Sequence, residues 1–102
     1  MDAHTKKKPA NIDKLIEIEW EILNDLKKML MDPQLSVAEK IRTANALAYH
    51  ASVLNKLLAQ KGEDSQLTEA TLGDFIKNVQ PRIARRVKVD FRRWTRRLSL
   101  TK

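Results

Sequence analysis

The chain of 102 residues contains no cysteine, two glycines and three prolines. Without cysteine, the sequence offers no disulfide, no thiolate nucleophile and no cysteine-based zinc site, and this fits a cytoplasmic, intracellular location. The scarcity of glycine and proline leaves little material for hairpin turns, so long helices are favoured over a β-sheet fold. No run approaches the roughly 20 consecutive apolar residues that a membrane-spanning helix requires.

The spacing of apolar residues predicts an all-α fold, a small helical bundle of about four helices in a single domain over residues 11–98. The predicted helices are two long antiparallel helices, one short helix and one basic amphipathic C-terminal helix, over residues 12–31, 37–61, 68 or 71 to 79, and 81–98. Residues 1–10 are predicted to be a flexible basic tail, and residues 99–102 a frayed end.

Capping signals mark several of the predicted helix ends. Asn11 is the expected N-cap of the first helix, and Ser36 with Glu39 has the S-x-x-E pattern of a capping box that opens the second. Gly62 suits the position just after a helix, because glycine adopts the left-handed conformation without a steric penalty. Pro81 suits the first turn of the fourth helix, where its missing N–H needs no partner.

The second helix has two apolar sides. Its main face consists of Val37, Ile41, Ala44, Ala48, Ala51 and Leu58. Another apolar set, Ala46, Tyr49, Val53 and Leu57, lies on roughly the opposite side. A helix with two apolar sides belongs in the middle of a bundle, or it offers one side to a partner. Tyr49, Val53 and Leu57 are therefore candidate partner-binding residues.

The positive charge of the chain is concentrated at its C-terminus. Residues 82–102 contain nine basic residues and one acidic residue, Asp90, whereas residues 1–81 contain eleven basic and twelve acidic residues. From Arg82 to Arg97, arginine outnumbers lysine seven to one. The guanidinium group is a planar fork that matches phosphate or carboxylate, so this choice of residue favours recognition of an anion over mere solubility.

On a helical wheel this segment separates into an apolar arc and a basic remainder. The apolar arc consists of Ile83, Ala84, Val87, Phe91, Trp94 and Leu98. The candidate nucleic-acid-binding residues fill nearly all the remaining circumference: Arg82, Arg85, Arg86, Lys88, Arg92, Arg93, Arg96 and Arg97. Phe91 and Trp94 are expected to pack in the core rather than stack on bases. No asparagine or glutamine lies between Arg82 and Arg97, so we expect phosphate contacts with little sequence specificity.

Catalysis, a cofactor or a metal site has little support in the sequence. No nucleotide-binding or hydrolase motif occurs, and the two histidines are His4, in the tail, and His50, which the wheel places on a polar, solvent-facing side. Glu19 and Asn55 are polar residues within apolar stripes. We expect Glu19 to reach water or to pair with a lysine or arginine, and Asn55 to fix helix register or a polar contact. A pairing of Glu19 with an arginine across an interface stays open.

The favoured hypothesis is a non-enzymatic nucleic-acid-binding protein, with DNA favoured over RNA, whose arginine-rich helix contacts phosphates. The alternative is a small accessory subunit that docks on a larger DNA- or RNA-processing enzyme, such as a replication complex, and modulates it. A third hypothesis, binding to a membrane surface, requires a wider apolar stripe than this helix has. Self-association and any preferred nucleic-acid sequence stay open.

Overall fold

A computed structural model describes residues 10–62 and 66–100 of the chain, with side chains over residues 11–62 and 66–98. These residues form four helices and contain no strand, which confirms the prediction of a small all-α bundle. The helices are α1 (Ala10–Leu30), α2 (Val37–Lys61), α3 (Glu69–Phe75) and α4 (Pro81–Leu100). The predicted flexible tail lies outside the described residues except for Ala10, which is already helical.

The two ends of α2 have the caps that the sequence predicts. The Ser36 Oγ accepts a hydrogen bond from the Glu39 backbone N–H at 3.2 Å, and the Glu39 Oε1 accepts one from the Ser36 N–H at 3.1 Å. At the other end Gly62 takes the left-handed conformation, with φ of 87°, and its N–H donates to the Ala59 carbonyl at 3.0 Å. Both ends of this central helix are therefore fixed by local sequence.

Several predicted helix ends differ from the structure. α1 already includes Ala10, two residues before its predicted start, and ends at Leu30, so Asn11 lies inside the first turn and is not the N-cap. The first backbone N–H groups of a helix need no intrahelical partner, so an earlier start is tolerated. α3 ends at Phe75 and not at Val79, because the backbone turns at Ile76 and the Val79 N–H donates to the Ile76 carbonyl at 2.9 Å instead of continuing the helix. α4 continues to Leu100, two residues beyond the predicted end, since no glycine or proline interrupts it there.

α2 lies in the middle of the bundle, between α1 and α4. α1 runs antiparallel to it, because Asp13 pairs with Lys61 near one end of α2 while Glu19 pairs with His50 nearer its middle. α4 runs parallel to α2, because its Ile83 lies beside Ile41 near the start of α2, whereas its Thr95 contacts Ser52 further along. The central position explains the two apolar sides of α2, since each of them faces a neighbouring helix.

The core forms where α1 and α4 pack on α2 and where α3 packs on α4. The fully buried side chains of the largest volume are Leu23, Leu30, Leu47, Leu54, Leu72, Ile76 and Val87. Ala44, Ala48 and Ala51 of α2 are also completely buried, and their small side chains let the neighbouring helices approach closely. Val37 was expected on this face but is 67% exposed, because it is the first residue of α2 and projects beyond the packed layer.

Two polar residues inside the apolar stripes have structural partners. The Asn55 side chain donates to the Leu67 carbonyl and accepts from the Leu67 N–H, both at 2.8 Å, so it holds the start of α3 against α2. Glu19 pairs with His50, whose Nδ1 lies 2.7 Å from the Glu19 Oε1. The expected partner of Glu19 was a lysine or arginine, and His50 was expected to face solvent. The partner of Glu19 is a histidine instead, and His50 faces solvent only in part, because α1 packs over it and leaves its side chain 28% exposed.

Candidate functional site

The C-terminal helix is held in place by the apolar arc that its sequence predicts. Ile83, Val87 and Phe91 are buried, and the three other members of the arc, Ala84, Trp94 and Leu98, are half-buried. The Ala84 N–H donates to the Gln80 carbonyl at 2.9 Å, which starts the helix one turn before the first core contact. With one side fixed to the core, the basic side chains of α4 project from its other sides.

Trp94, near the C-terminal end of the apolar arc, contacts α2. Its indole N–H donates to the Asn45 Oδ1 at 2.9 Å, and its ring meets the Tyr49 ring edge to face, with centroids 4.8 Å apart. The indole therefore satisfies its polar atom at the boundary of the core while its ring packs. This arrangement agrees with the expected packing of Trp94, and Phe91 is buried deeper in the same arc.

The seven arginines of α4 are exposed, but they do not have the same surroundings. The guanidinium group of Arg92 makes a two-pronged ion pair with Glu69 of α3, with Nε–Oε2 at 2.8 Å and Nη2–Oε1 at 3.1 Å. The hydrogen bond from Arg92 holds the pKa of the Glu69 carboxyl below its ordinary value, and the same bond raises the pKa of Arg92. Arg92 thus joins α3 to α4.

Three further cations of α4 have neighbours within the fold. The Arg86 Nε lies 3.4 Å from the Oδ2 of Asp90, a carboxylate that is 97% buried one turn further along the same helix. The Arg97 guanidinium lies 5.0 Å from the centre of the Trp94 ring, within the range of a cation–π contact. Lys88 is half-buried against α3, where a methyl group at Gly73 would lie 3.2 Å from its Cε.

Four arginines form a separate group: Arg82, Arg85, Arg93 and Arg96. None of them lies within ion-pair distance of a carboxylate among the residues that the structure describes. On a helix with about 100° per residue they fall within an arc of about 80°, and from first to last they span roughly 21 Å of helix axis. We call this group the open arginine face. Three described acids of α1, Asp13, Glu17 and Glu19, pair with lysine or histidine, and no described acid of α1 or α2 forms an ion pair with α4.

The open arginine face borders a groove between α2 and α4, with a volume of about 490 Å³. Sequence reasoning missed this feature. It depends on the parallel packing of two helices that are not adjacent in the chain, and no local pattern reveals which residues of α2 lie beside α4. The groove brings Lys40 of α2 alongside the arginines, and it places Val89 of α4 opposite Val37 and Ile41.

The predicted partner-binding side of α2 is partly covered. Tyr49 is 36% exposed and packs against both Trp94 and His50, with ring centroids 4.8 and 5.3 Å away. Val53 and Leu57 are half-buried. This side is therefore not bare: rings from α2 and α4 occupy much of it, and a protein partner would meet a narrow apolar edge there.

The described residues contain no cluster of three or more histidine and acidic side chains arranged to hold a metal ion. Within the same part of the chain, no helix combines the length and the apolar character needed to cross a bilayer. Comparisons with protein-family models, with curated proteins and with solved structures found no match to this chain. The site is therefore characterised by its own side chains: an exposed row of arginines on a helix whose opposite side is fixed to the core.

Proposed function

We propose that this protein is a non-enzymatic nucleic-acid-binding protein, with DNA as the favoured ligand, and that the open arginine face contacts phosphates. The observation that carries the proposal is the absence of ion-pair partners for Arg82, Arg85, Arg93 and Arg96 among the described residues. Four like charges on one side of a helix repel one another, and an external polyanion relieves that repulsion. Arginine also binds phosphate oxygens through two parallel N–H donors, which fixes orientation as well as charge.

The shape of the surface favours duplex DNA over duplex RNA. The major groove of B-form DNA, about 12 Å wide, admits an α-helix, whereas the major groove of A-form RNA is deep and narrow. α4 offers a convex, arginine-lined side along about 21 Å, which suits a helix edge lying against a groove and its flanking phosphates. The open arginine face carries no asparagine or glutamine, so the contacts would position the protein without reading bases.

Binding of this kind has a measurable salt dependence. The logarithm of the affinity for duplex DNA falls with the logarithm of salt concentration by about 0.9 per neutralised phosphate. Four arginine–phosphate contacts therefore give a slope of about −3.6, and the further contacts that Arg86 or Arg97 could add would make it steeper. A slope near zero would contradict the proposal, because the binding would then owe little to phosphate.

The experiment compares two fourfold alanine variants with the unaltered chain, by titrating a labelled 20-base-pair duplex at two salt concentrations. The test variant changes Arg82, Arg85, Arg93 and Arg96. The control changes Lys14, Lys28, Arg42 and Lys56, four exposed cations of α1 and α2, so the two variants lose the same net charge. We expect the test variant to lose at least about 100-fold in affinity at low salt, with a slope reduced by about one per arginine. The control should lose only a few-fold; equal losses in both would mean that net charge, not this face, determines binding.

A further inference from the structure

The groove between α2 and α4 has an apolar floor that phosphate binding does not explain. Val37, Ile41 and Val89 line it together with Ile83, and only Ile83 belongs to the buried core. Val37 is 67% exposed, and Ile41 and Val89 are half-exposed. Three aliphatic side chains are thus at least partly exposed to solvent in this concave groove, and their burial by a ligand would be favourable.

Every charged residue at the rim of the same groove is basic. Its cations are Lys40 from α2 and Arg82, Arg85, Arg86 and Arg93 from α4, and no aspartate or glutamate lines it. Of these five, Arg86 alone lies within ion-pair distance of a described carboxylate, Asp90. Any occupant must therefore bring its own negative charges to the edge of an aliphatic surface.

We propose that this groove binds an acidic amphipathic helix from a protein partner. Aliphatic side chains of that helix would cover Val37, Ile41 and Val89, and its carboxylates would meet the arginines on the α4 side. Nucleic acid fits the floor less well, since bases stack on aromatic rings and no aromatic residue lines the groove. The dimensions also suit a peptide: the lining residues of α4 run from Arg82 to Arg93, roughly 17 Å, about three turns of a helix lying alongside.

The inference adds a second class of ligand to the proposed function and does not depend on it. Arg82, Arg85 and Arg93 belong to both the groove rim and the open arginine face. An acidic helix seated in the groove would therefore take three of the four open arginines away from phosphate. A partner protein could in this way control access to nucleic acid, and this gives the accessory-subunit hypothesis a defined docking place.

The test uses the full chain and a fluorescein-labelled synthetic peptide of 15 residues. The peptide carries leucine at the i, i+3, i+4 and i+7 positions of one helical face and glutamate elsewhere. A scrambled peptide of identical composition places its leucines on all sides. Fluorescence anisotropy should give at least tenfold tighter binding for the amphipathic peptide. Equal binding of the two would overturn the proposal, because charge alone would then account for it.

Two groove variants locate the binding. Val37→Ser and Val89→Ser remove exposed aliphatic contacts without changing charge, and each should weaken peptide binding at least fivefold. Leu15→Ser, at a residue of α1 that is 46% exposed, is the matched control and should change nothing. Circular dichroism checks that all three keep their helix content. If both groove variants bind the peptide like the unaltered chain, the proposal is wrong.

Two further measurements distinguish binding of an acidic helix in the groove from binding of DNA or of a membrane surface. Val37→Ser should leave the affinity for a duplex oligonucleotide unchanged within twofold, so loss of peptide binding and loss of DNA binding are distinguishable. Vesicles of phosphatidylglycerol provide the lipid arm. Vesicle binding that Val37→Ser abolishes, together with no binding of the amphipathic peptide, would assign the groove to a membrane surface and overturn the proposal.

Discussion

α1 and α4 are helices of almost equal length, 21 and 20 residues, and both pack on α2 through one apolar side. Their polar sides differ. α1 mixes signs and pairs them within the fold, as in the contacts of Lys14 with Glu17 at 3.8 Å and of Asp13 with Lys61 at 2.6 Å. The outer side of α4 is positive, and five of its seven arginines, Arg97 and the four of the open arginine face, form no ion pair with a described acid. In α4 the side chains that pack and the cations without acid partners occupy separate sides of the helix, so each side can be changed alone.

The largest expected effect comes from breaking the packing that the two helices share. Leu23→Ala in α1 and Phe91→Ala in α4 each remove a large buried side chain, and each should lower the free energy of unfolding by about 3 kcal/mol. Urea unfolding followed by tryptophan fluorescence measures the loss, because the chain has Trp20 and Trp94 as reporters. Leu15→Ala, at an exposed site of α1, should lose less than about 1 kcal/mol.

If Leu23→Ala were harmful and Phe91→Ala harmless, α4 would not be an integral part of the bundle. The arginines would then belong to a detachable segment, and the fixed geometry of the open arginine face would be lost. Similar losses in both variants would support one cooperative unit in which α1 and α4 are equally anchored.

Much of the fold, including the packing side of α4, is predictable from the sequence. Periodicity predicts the four helices, and Ser36, Glu39 and Gly62 mark the limits of α2 because capping is a local interaction. The apolar arc of α4 is also predicted correctly, since one amphipathic helix needs no knowledge of its neighbours. The end of α3 is less predictable, because a short helix has little stability of its own and tertiary packing decides where it stops.

The pairings between helices were not predictable, and the site depends on them. Glu19 and His50 lie 31 positions apart, and Arg92 and Glu69 lie 23 positions apart. Helical wheels rank residues within one helix but give no register between helices. For this reason the sequence treats all eight cations of α4 alike, although the structure engages Arg92 with α3 and leaves Arg82, Arg85, Arg93 and Arg96 open. The same limitation hid the groove that Val37 and Val89 share.

A smaller effect is expected at the connection that precedes α3. Asn55→Ala removes both hydrogen bonds to Leu67 and leaves a half-buried N–H and carbonyl without those partners, which should cost about 2 kcal/mol of unfolding free energy. Asn24→Ala is the control: its side chain makes one exposed hydrogen bond, to the Trp20 carbonyl at 3.0 Å, and its loss should be under about 0.5 kcal/mol. Thermal unfolding of both variants measures the difference. Equal losses would mean that the Asn55 contacts do not hold α3 in place.

The smallest change in stability, and the sharpest test of the difference between paired and open cations, is Glu69→Gln. The neutral amide removes the ion pair and frees Arg92, so the surface of α4 gains one more arginine without an acid partner. We expect duplex DNA to bind more tightly, with a salt slope steeper by about one contact. Glu17→Gln on α1 removes an equal charge beside Lys14 and should leave the slope unchanged. An unchanged slope for Glu69→Gln would mean that Arg92 lies outside the binding surface even when it is free.

The ion pair between Glu69 and Arg92 makes the stability of the fold depend on pH, and the direction of that dependence follows from the lowered pKa of Glu69. Because the hydrogen bond from Arg92 holds the pKa of Glu69 below its unfolded value, the ionised carboxylate stabilises the fold. That contribution is complete above the ordinary pKa of about 4.5 and disappears as the pH falls through the lower, folded-state value. The unaltered chain should therefore melt at a higher temperature than Glu69→Gln at pH 7, and the two melting temperatures should converge once the pH lies below the folded-state pKa of Glu69. Since both side chains are exposed, the difference at pH 7 should shrink in high salt; a difference that persisted after Glu69 is protonated would point to altered packing rather than to the ion pair.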